Sequence, residues 1–151
     1  MMVLGVLLVM AEASIGMEPT KLAADKVSEL LAVAATATSC DAQQTAFNDI
    51  ENLGCAAVPN LATFAGDRRP LSCARMQLRN KSREAFEGRR HYSPTLVGDA
   101  VQALLNQLTG QHFGPVYNGS TEQELNASAA QWRAFVAKTP IGDLCRAWTA
   151  P

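Results

Sequence analysis

The sequence predicts an all-α fold: a short domain of right-handed helical hairpins with about six helices, spanning residues 18–151. Beyond residue 20, apolar side chains recur three and four positions apart, and no segment alternates with period two, so no strand is expected. Glycine and proline fall where those periodic stretches begin or end. With 151 residues and 48% apolar content, the chain has the size and composition for one hydrophobic core.

Residues 1–17 read as a separate segment. Val3-Leu4-Gly5-Val6-Leu7-Leu8-Val9-Met10 is an unbroken apolar run, followed by the small-x-small tripeptide Ala11-Glu12-Ala13. These are the core and the cleavage site expected of a secretory signal peptide, and the run is too short to span a bilayer. No lysine or arginine precedes it, so the competing reading is a buried first helix, or a cytoplasmic protein that starts at Met17. The expectation is an exported protein, periplasmic or extracellular, with no membrane span after processing.

The first helix is expected over residues 21–36, with Leu22, Val27, Leu30, Leu31 and Ala34 on one stripe. A second covers 41–53, where Ala42, Ala46, Phe47, Ile50 and Leu53 share a face and Gly54 sits at the left-handed stop position. Pro59 suits the first turn of a short helix carrying Val58, Leu61, Ala62 and Phe64, because its missing N–H is an orphan there in any case. Residues 97–110 form an amphipathic helix, one face buried and one exposed, with Ala100, Ala103, Leu104 and Leu108 inside and a Thr109-Gly110 ending. Gly114-Pro115 and Asn118-Gly119 then make an ordered turn-rich loop over 110–119. Ser120 with Gln123, or Thr121 with Glu124, supplies a capping box for a last long helix, on which Leu125, Ala129, Trp132 and Val136 line the inner side. Trp132 is therefore read as a core anchor.

Ala46 and Phe47, followed by Leu53-Gly54-Cys55-Ala56-Ala57-Val58-Pro59-Asn60-Leu61, resemble a HEAT repeat, in which a first helix closes on Leu-Gly and a small-small-Val-Pro turn opens the second. The 97–110 helix, with Phe113-Gly114 and Trp132 after it, is similar to the terminal unit of bacterial HEAT-like proteins. The resemblance covers about half the chain and implies an α-α superhelix-related scaffold that binds protein. Residues 68–92 fit no repeat, and a strict repeat period is absent.

Cys40, Cys55, Cys73 and Cys145 include no C-x-x-C and no histidine at ligand spacing, so no metal site is expected. In an exported chain they permit three fully paired connectivities; in a reducing compartment they are small buried hydrophobes. If the 41–64 segment is an antiparallel hairpin, the chain returns near residue 66 to the end that carries Cys40. That geometry selects a Cys40–Cys73 disulfide.

Charge is concentrated in one window. Residues 68–91 hold Arg68, Arg69, Arg75, Arg79, Lys81, Arg83, Arg89 and Arg90 against Glu84 and Glu87, a formal +6, while the rest of the chain is −7. The first expectation is bracing: Arg83 and Glu87 four apart on a helix, Asp99 nearby, and arginines tying connections together. The functional alternative is an acidic protein partner gripped by Arg68, Arg69, Arg89, Arg90, His91 and Tyr92. Nucleic acid is not expected, because no aromatic residues interleave the charges.

His91 and His112 invite a catalytic reading, but no G-x-S-x-G, S-x-x-K, H-E-x-x-H or phosphate-loop motif accompanies them. Neither catalytic residues nor a cofactor are predicted. Three Asn-x-Ser triplets, at Asn80, Asn118 and Asn126, are read as chance matches. The function expected is a non-catalytic protein-binding or scaffold domain of an exported bacterial protein. The alternative is a small periplasmic inhibitor or immunity-type protein that plugs an enzyme cleft with residues 67–70 or 112–118.

Overall fold

The computed structural model describes residues 19–81, 86–114 and 116–146, so the signal-peptide segment 1–17, Met17, Arg83 and Glu84 lie outside the described residues. The helices are α1 (Pro19–Thr36), α2 (Cys40–Leu53), α3 (Val58–Thr63), α4 (Val97–Thr109) and α5 (Glu122–Lys138). Short 3-10 turns at Gly54–Ala57 and Ile141–Asp143 complete the helical part. Four helices of 13 residues or more and one of six thus replace the expected six. The difference lies between α3 and α4, where the chain forms a β-hairpin of β1 (Met76–Arg79) and β2 (Arg89–Tyr92).

Local chemistry sets ends of α2, α4 and α5. Ser39 caps α2 by accepting the Ala42 N–H, and Thr121 and Glu124 form the capping box of α5, the second of the two frames expected. Gly54 ends α2 at a positive φ of 65°, but its ψ of −146° lies outside the left-handed basin, and the chain runs directly into the 3-10 turn. Gly110 closes α4 in the left-handed conformation, its N–H donating to Asn106 O.

With a three-residue connection, α1 packs antiparallel on α2 through Val27, Leu30, Leu31 and Ala34 against Ala46, Phe47 and Ile50. α3 lies mainly against α4, α5 and α1, and Trp132 of α5 is fully buried, as its spacing predicted. Met76, Leu78 and Tyr92 close the core from the hairpin side.

The amphipathic reading of α4 is corrected: every residue except Asn106 is buried. Its polar stripe faces partners rather than water. Asp99 Oδ2 accepts from Thr95 N–H, Thr95 Oγ1 and Leu96 N–H, and Oδ1 from Ser120 N–H and Oγ. Gln102 donates to Ala65 O and accepts from the Ser128 hydroxyl. Gln107 donates to Glu51 Oε1 and to Arg79 O. Paired in this way, polar groups tolerate burial. The backbone of residues 67–71 runs beside 95–98, and the otherwise orphan N–H groups of Val97 and Gly98 donate to Arg69 O and Asp67 O.

Two disulfides brace the structure. Cys40–Cys73, the pair expected, has a Cα–Cα distance of 5.3 Å, and Cys55–Cys145, with 6.0 Å, ties the turn after α2 to the last described segment. The first is reinforced by Gln43, whose carboxamide donates to Cys73 O at 2.7 Å and accepts Cys73 N–H at 3.3 Å. Loops of 33 and 90 residues place each bridge's contribution on the order of 4 kcal/mol. No helix among the described residues is long and apolar enough to cross a membrane.

Candidate basic hairpin site

The hairpin sorts the basic window by geometry. β1 and β2 pair antiparallel with Met76 opposite Tyr92, Gln77 opposite His91, Leu78 opposite Arg90 and Arg79 opposite Arg89. Side chains alternate across a strand, so Met76, Leu78, Arg90 and Tyr92 share the inner face while Gln77, Arg79, Arg89 and His91 share the outer one. Met76 and Leu78 are fully buried, whereas Arg79, Arg89 and His91 are exposed. The helix expected to join Arg83 to Glu87 is not formed at Glu87, which lies in a bend entering β2.

Four basic residues of the window are engaged, Arg68, Arg69 and Arg75 before the hairpin and Lys81 after β1. Arg68 pairs with Glu122 at 2.7 Å across to α5, and Arg69 chelates Asp67, with Nη2 to Oδ2 at 2.6 Å. The Asp67 hydrogen bonds raise the Arg69 pKa above its ordinary value, opposed by partial burial. Arg75 faces Asp41 at 3.9 Å, and Lys81 faces the buried Glu51 at 3.8 Å. Asp99, expected near these arginines, instead turns inward to Thr95, Leu96 and Ser120.

Among the described residues three arginines of the window remain. Arg90 holds its guanidinium 5.5 Å from the Tyr92 ring centroid. Tyr92 meets Tyr117 edge-on at 5.6 Å, and burial raises the pKa of both phenols. Arg79 and Arg89 have no ion-pair partner among the described residues and stand directly opposite one another. With Asn48, Glu51 and Asn52 of α2 they line a polar cleft of about 210 Å³. The six residues first singled out therefore separate: Arg68 and Arg69 are braces, Arg90 and Tyr92 face inward, and Arg89 and His91 face out. Arg79 joins them, a residue that only strand register brings to this face.

His91 and His112 are both exposed and on different elements. His112 Nδ1 shares a hydrogen bond with the Tyr117 hydroxyl at 3.1 Å, and all four cysteines are in disulfides, so neither histidine has a thiol to activate. Residues 67–70 are anchored along the start of α4, and in 112–118 Phe113 packs against Trp132 at 4.7 Å while Val116 is buried. No group of three or more metal-ligating side chains occurs among the described residues. No protein-family profile, curated protein or solved structure matches this chain.

Proposed function

We propose that this domain is a disulfide-braced, non-catalytic protein-binding module that works in an oxidising compartment after export. Its grip is the outer face of the hairpin, where Arg79, Arg89 and His91 meet an acidic patch on another protein. The observation that carries the reading is the opposed Arg79–Arg89 pair. Like charges directly across a strand pair destabilise it by roughly 0.2–1 kcal/mol, and a carboxylate seated between them converts that repulsion into attraction. Asn48 and Asn52 of the adjoining cleft add amide donors for the same guest, and Glu51, which also lines it, is buried and engaged by Gln107 and Lys81. Two disulfides in a chain with no free cysteine among the described residues support an oxidising location.

Capture from an envelope fraction by immobilised wild-type protein and by the R79E/R89E variant tests the reading. The variant is expected to lose an acidic partner that wild type retains, with an unchanged melting temperature, while R68E loses stability rather than the partner. Equal capture by wild type and R79E/R89E would refute it.

A further inference from the structure

The two edges of the small sheet are treated differently. Asn80 N–H donates to Gly88 O, which fixes the even-numbered residues 76, 78 and 80 as the hydrogen-bonded partners of 92, 90 and 88. The N–H and C=O groups of Gln77 and Arg79 therefore point out of the β1 edge, and those of Arg89 and His91 out of the β2 edge. On β1 three of those four groups are capped by side chains. Gln44 accepts Gln77 N–H at 2.8 Å and donates to Gln77 O at 2.7 Å, and Gln107 donates to Arg79 O at 2.6 Å. On β2 only the next outward donor, Ser93 N–H, is taken, by Asn118 Oδ1 at 2.7 Å. The main-chain groups of Arg89 and His91 have no hydrogen-bond partner among the described residues.

We infer that the β2 edge receives an extended acidic segment of a partner protein as a third, antiparallel strand, with a carboxylate directly opposite Arg89. The inference rests on the proposed role of the hairpin's outer face and adds the binding mode: main-chain pairing along Arg89 to His91, with charge setting the register. Charge also selects the occupant. A second copy of this chain paired edge to edge through β2 brings Arg89 and its neighbours against their own like charges, whereas an acidic strand meets Arg89 on one face and Arg90 on the other.

In an antiparallel pair, the residue opposite Arg89 shares its outward face and also directs its own N–H toward β2. A capped peptide alternating glutamate and valine, with glutamate opposite Arg89, is therefore bound through the glutamate nitrogens. NMR titration with three forms of it is the test: unmodified, N-methylated at the glutamates, and N-methylated at the valines. The unmodified and valine-methylated forms are expected to bind alike and to slow hydrogen exchange at Arg89 and His91, and the glutamate-methylated form to bind roughly tenfold more weakly or worse.

On the protein side, H91P removes an outward N–H that the β1–β2 ladder does not use and is expected to weaken the peptide far more than H91A, which keeps that N–H and removes only the side chain. Should H91P fail to fold, the methylated peptides still decide. Equal binding of all three forms, sensitive to R89E, overturns strand addition but leaves the charged face standing. Absence of binding, insensitivity to R89E, or a wild-type dimer in sedimentation that H91P dissolves overturns the inference outright.

Discussion

Gln44 holds Gln77 as a neighbouring strand would: its carboxamide accepts the Gln77 N–H at 2.8 Å and returns a donor to the Gln77 carbonyl at 2.7 Å. One α2 side chain thus replaces a backbone on the β1 edge and fixes the hairpin to the helical core. Q44A removes both hydrogen bonds and is expected to lower stability by about 1–3 kcal/mol in urea denaturation. A loss below a few tenths of a kcal/mol would mean that the burial of Met76 and Leu78 alone seats the hairpin.

Gly98 sits where the 65–69 backbone crosses α4. A Cβ there meets Asp67 O at 2.9 Å, Ala65 O at 3.0 Å and Leu125 Cδ1 at 3.0 Å. G98A is therefore expected to destabilise by about 1–3 kcal/mol despite alanine's higher helix propensity. G142A, with nothing near the added methyl, is the control and should shift the thermal midpoint little.

Asp99 gathers five donors from Thr95, Leu96 and Ser120 at the start of α4. D99A strands those donors in a partly buried site, and a loss of about 1–3 kcal/mol is expected in denaturant titration. D99N, which keeps one carbonyl acceptor, should fall between alanine and wild type.

Glu124 is exposed, and the Thr121 hydroxyl and N–H donate to its carboxylate, which lowers its pKa below the ordinary glutamate value. A depressed folded-state pKa contributes stability that is present above the unfolded pKa and lost as pH falls through the folded one. The Glu124 carboxyl resonance should titrate at lower pH than a free glutamate. T121A, which removes the hydroxyl but keeps the N–H, should raise it toward the ordinary value and shorten α5 at its first turn.

Removing the Cys40–Cys73 bridge as the C40S/C73S double variant is expected to cost about 3–4 kcal/mol by thermal unfolding. Reduction of both bridges should lower the midpoint further without abolishing helical circular dichroism, since the buried faces of α1, α2 and α4 need no thiol chemistry. Melting that is insensitive to reductant would contradict the bracing role.

Helix spacing made much of this architecture legible in the sequence. The α1 and α2 stripes hold at Val27, Leu30, Leu31, Ala34, Ala46, Phe47 and Ile50, while Leu22 and Ala42, at the first turns, are exposed. The Pro59 start, the Gly110 stop, the Thr121 cap and the burial of Trp132 likewise depend on neighbours within a turn or two, and each is where its local pattern placed it. The hairpin was not legible, because each strand has only four residues, too few for period two to register, and β2 reads Arg-Arg-His-Tyr. Its strands are held by long-range groups instead, Gln44 and Gln107 among them. The burial of α4 escaped for a related reason: a polar stripe looks the same whether it faces water or a hydrogen-bond network, and Asp99, Gln102 and Gln107 face the network. The candidate site was half visible. Composition located the basic window, but only strand register separates the outward Arg79, Arg89 and His91 from the inward Arg90 and Tyr92.

The most direct test of the central claim installs a photo-crosslinking side chain in place of His91, on the outer hairpin face, or in place of Arg133, on the exposed side of α5. Irradiation with the native envelope fraction is predicted to trap an acidic protein from position 91 and none from 133. Crosslinks from position 133 with none from 91 would place the binding surface elsewhere and contradict the account.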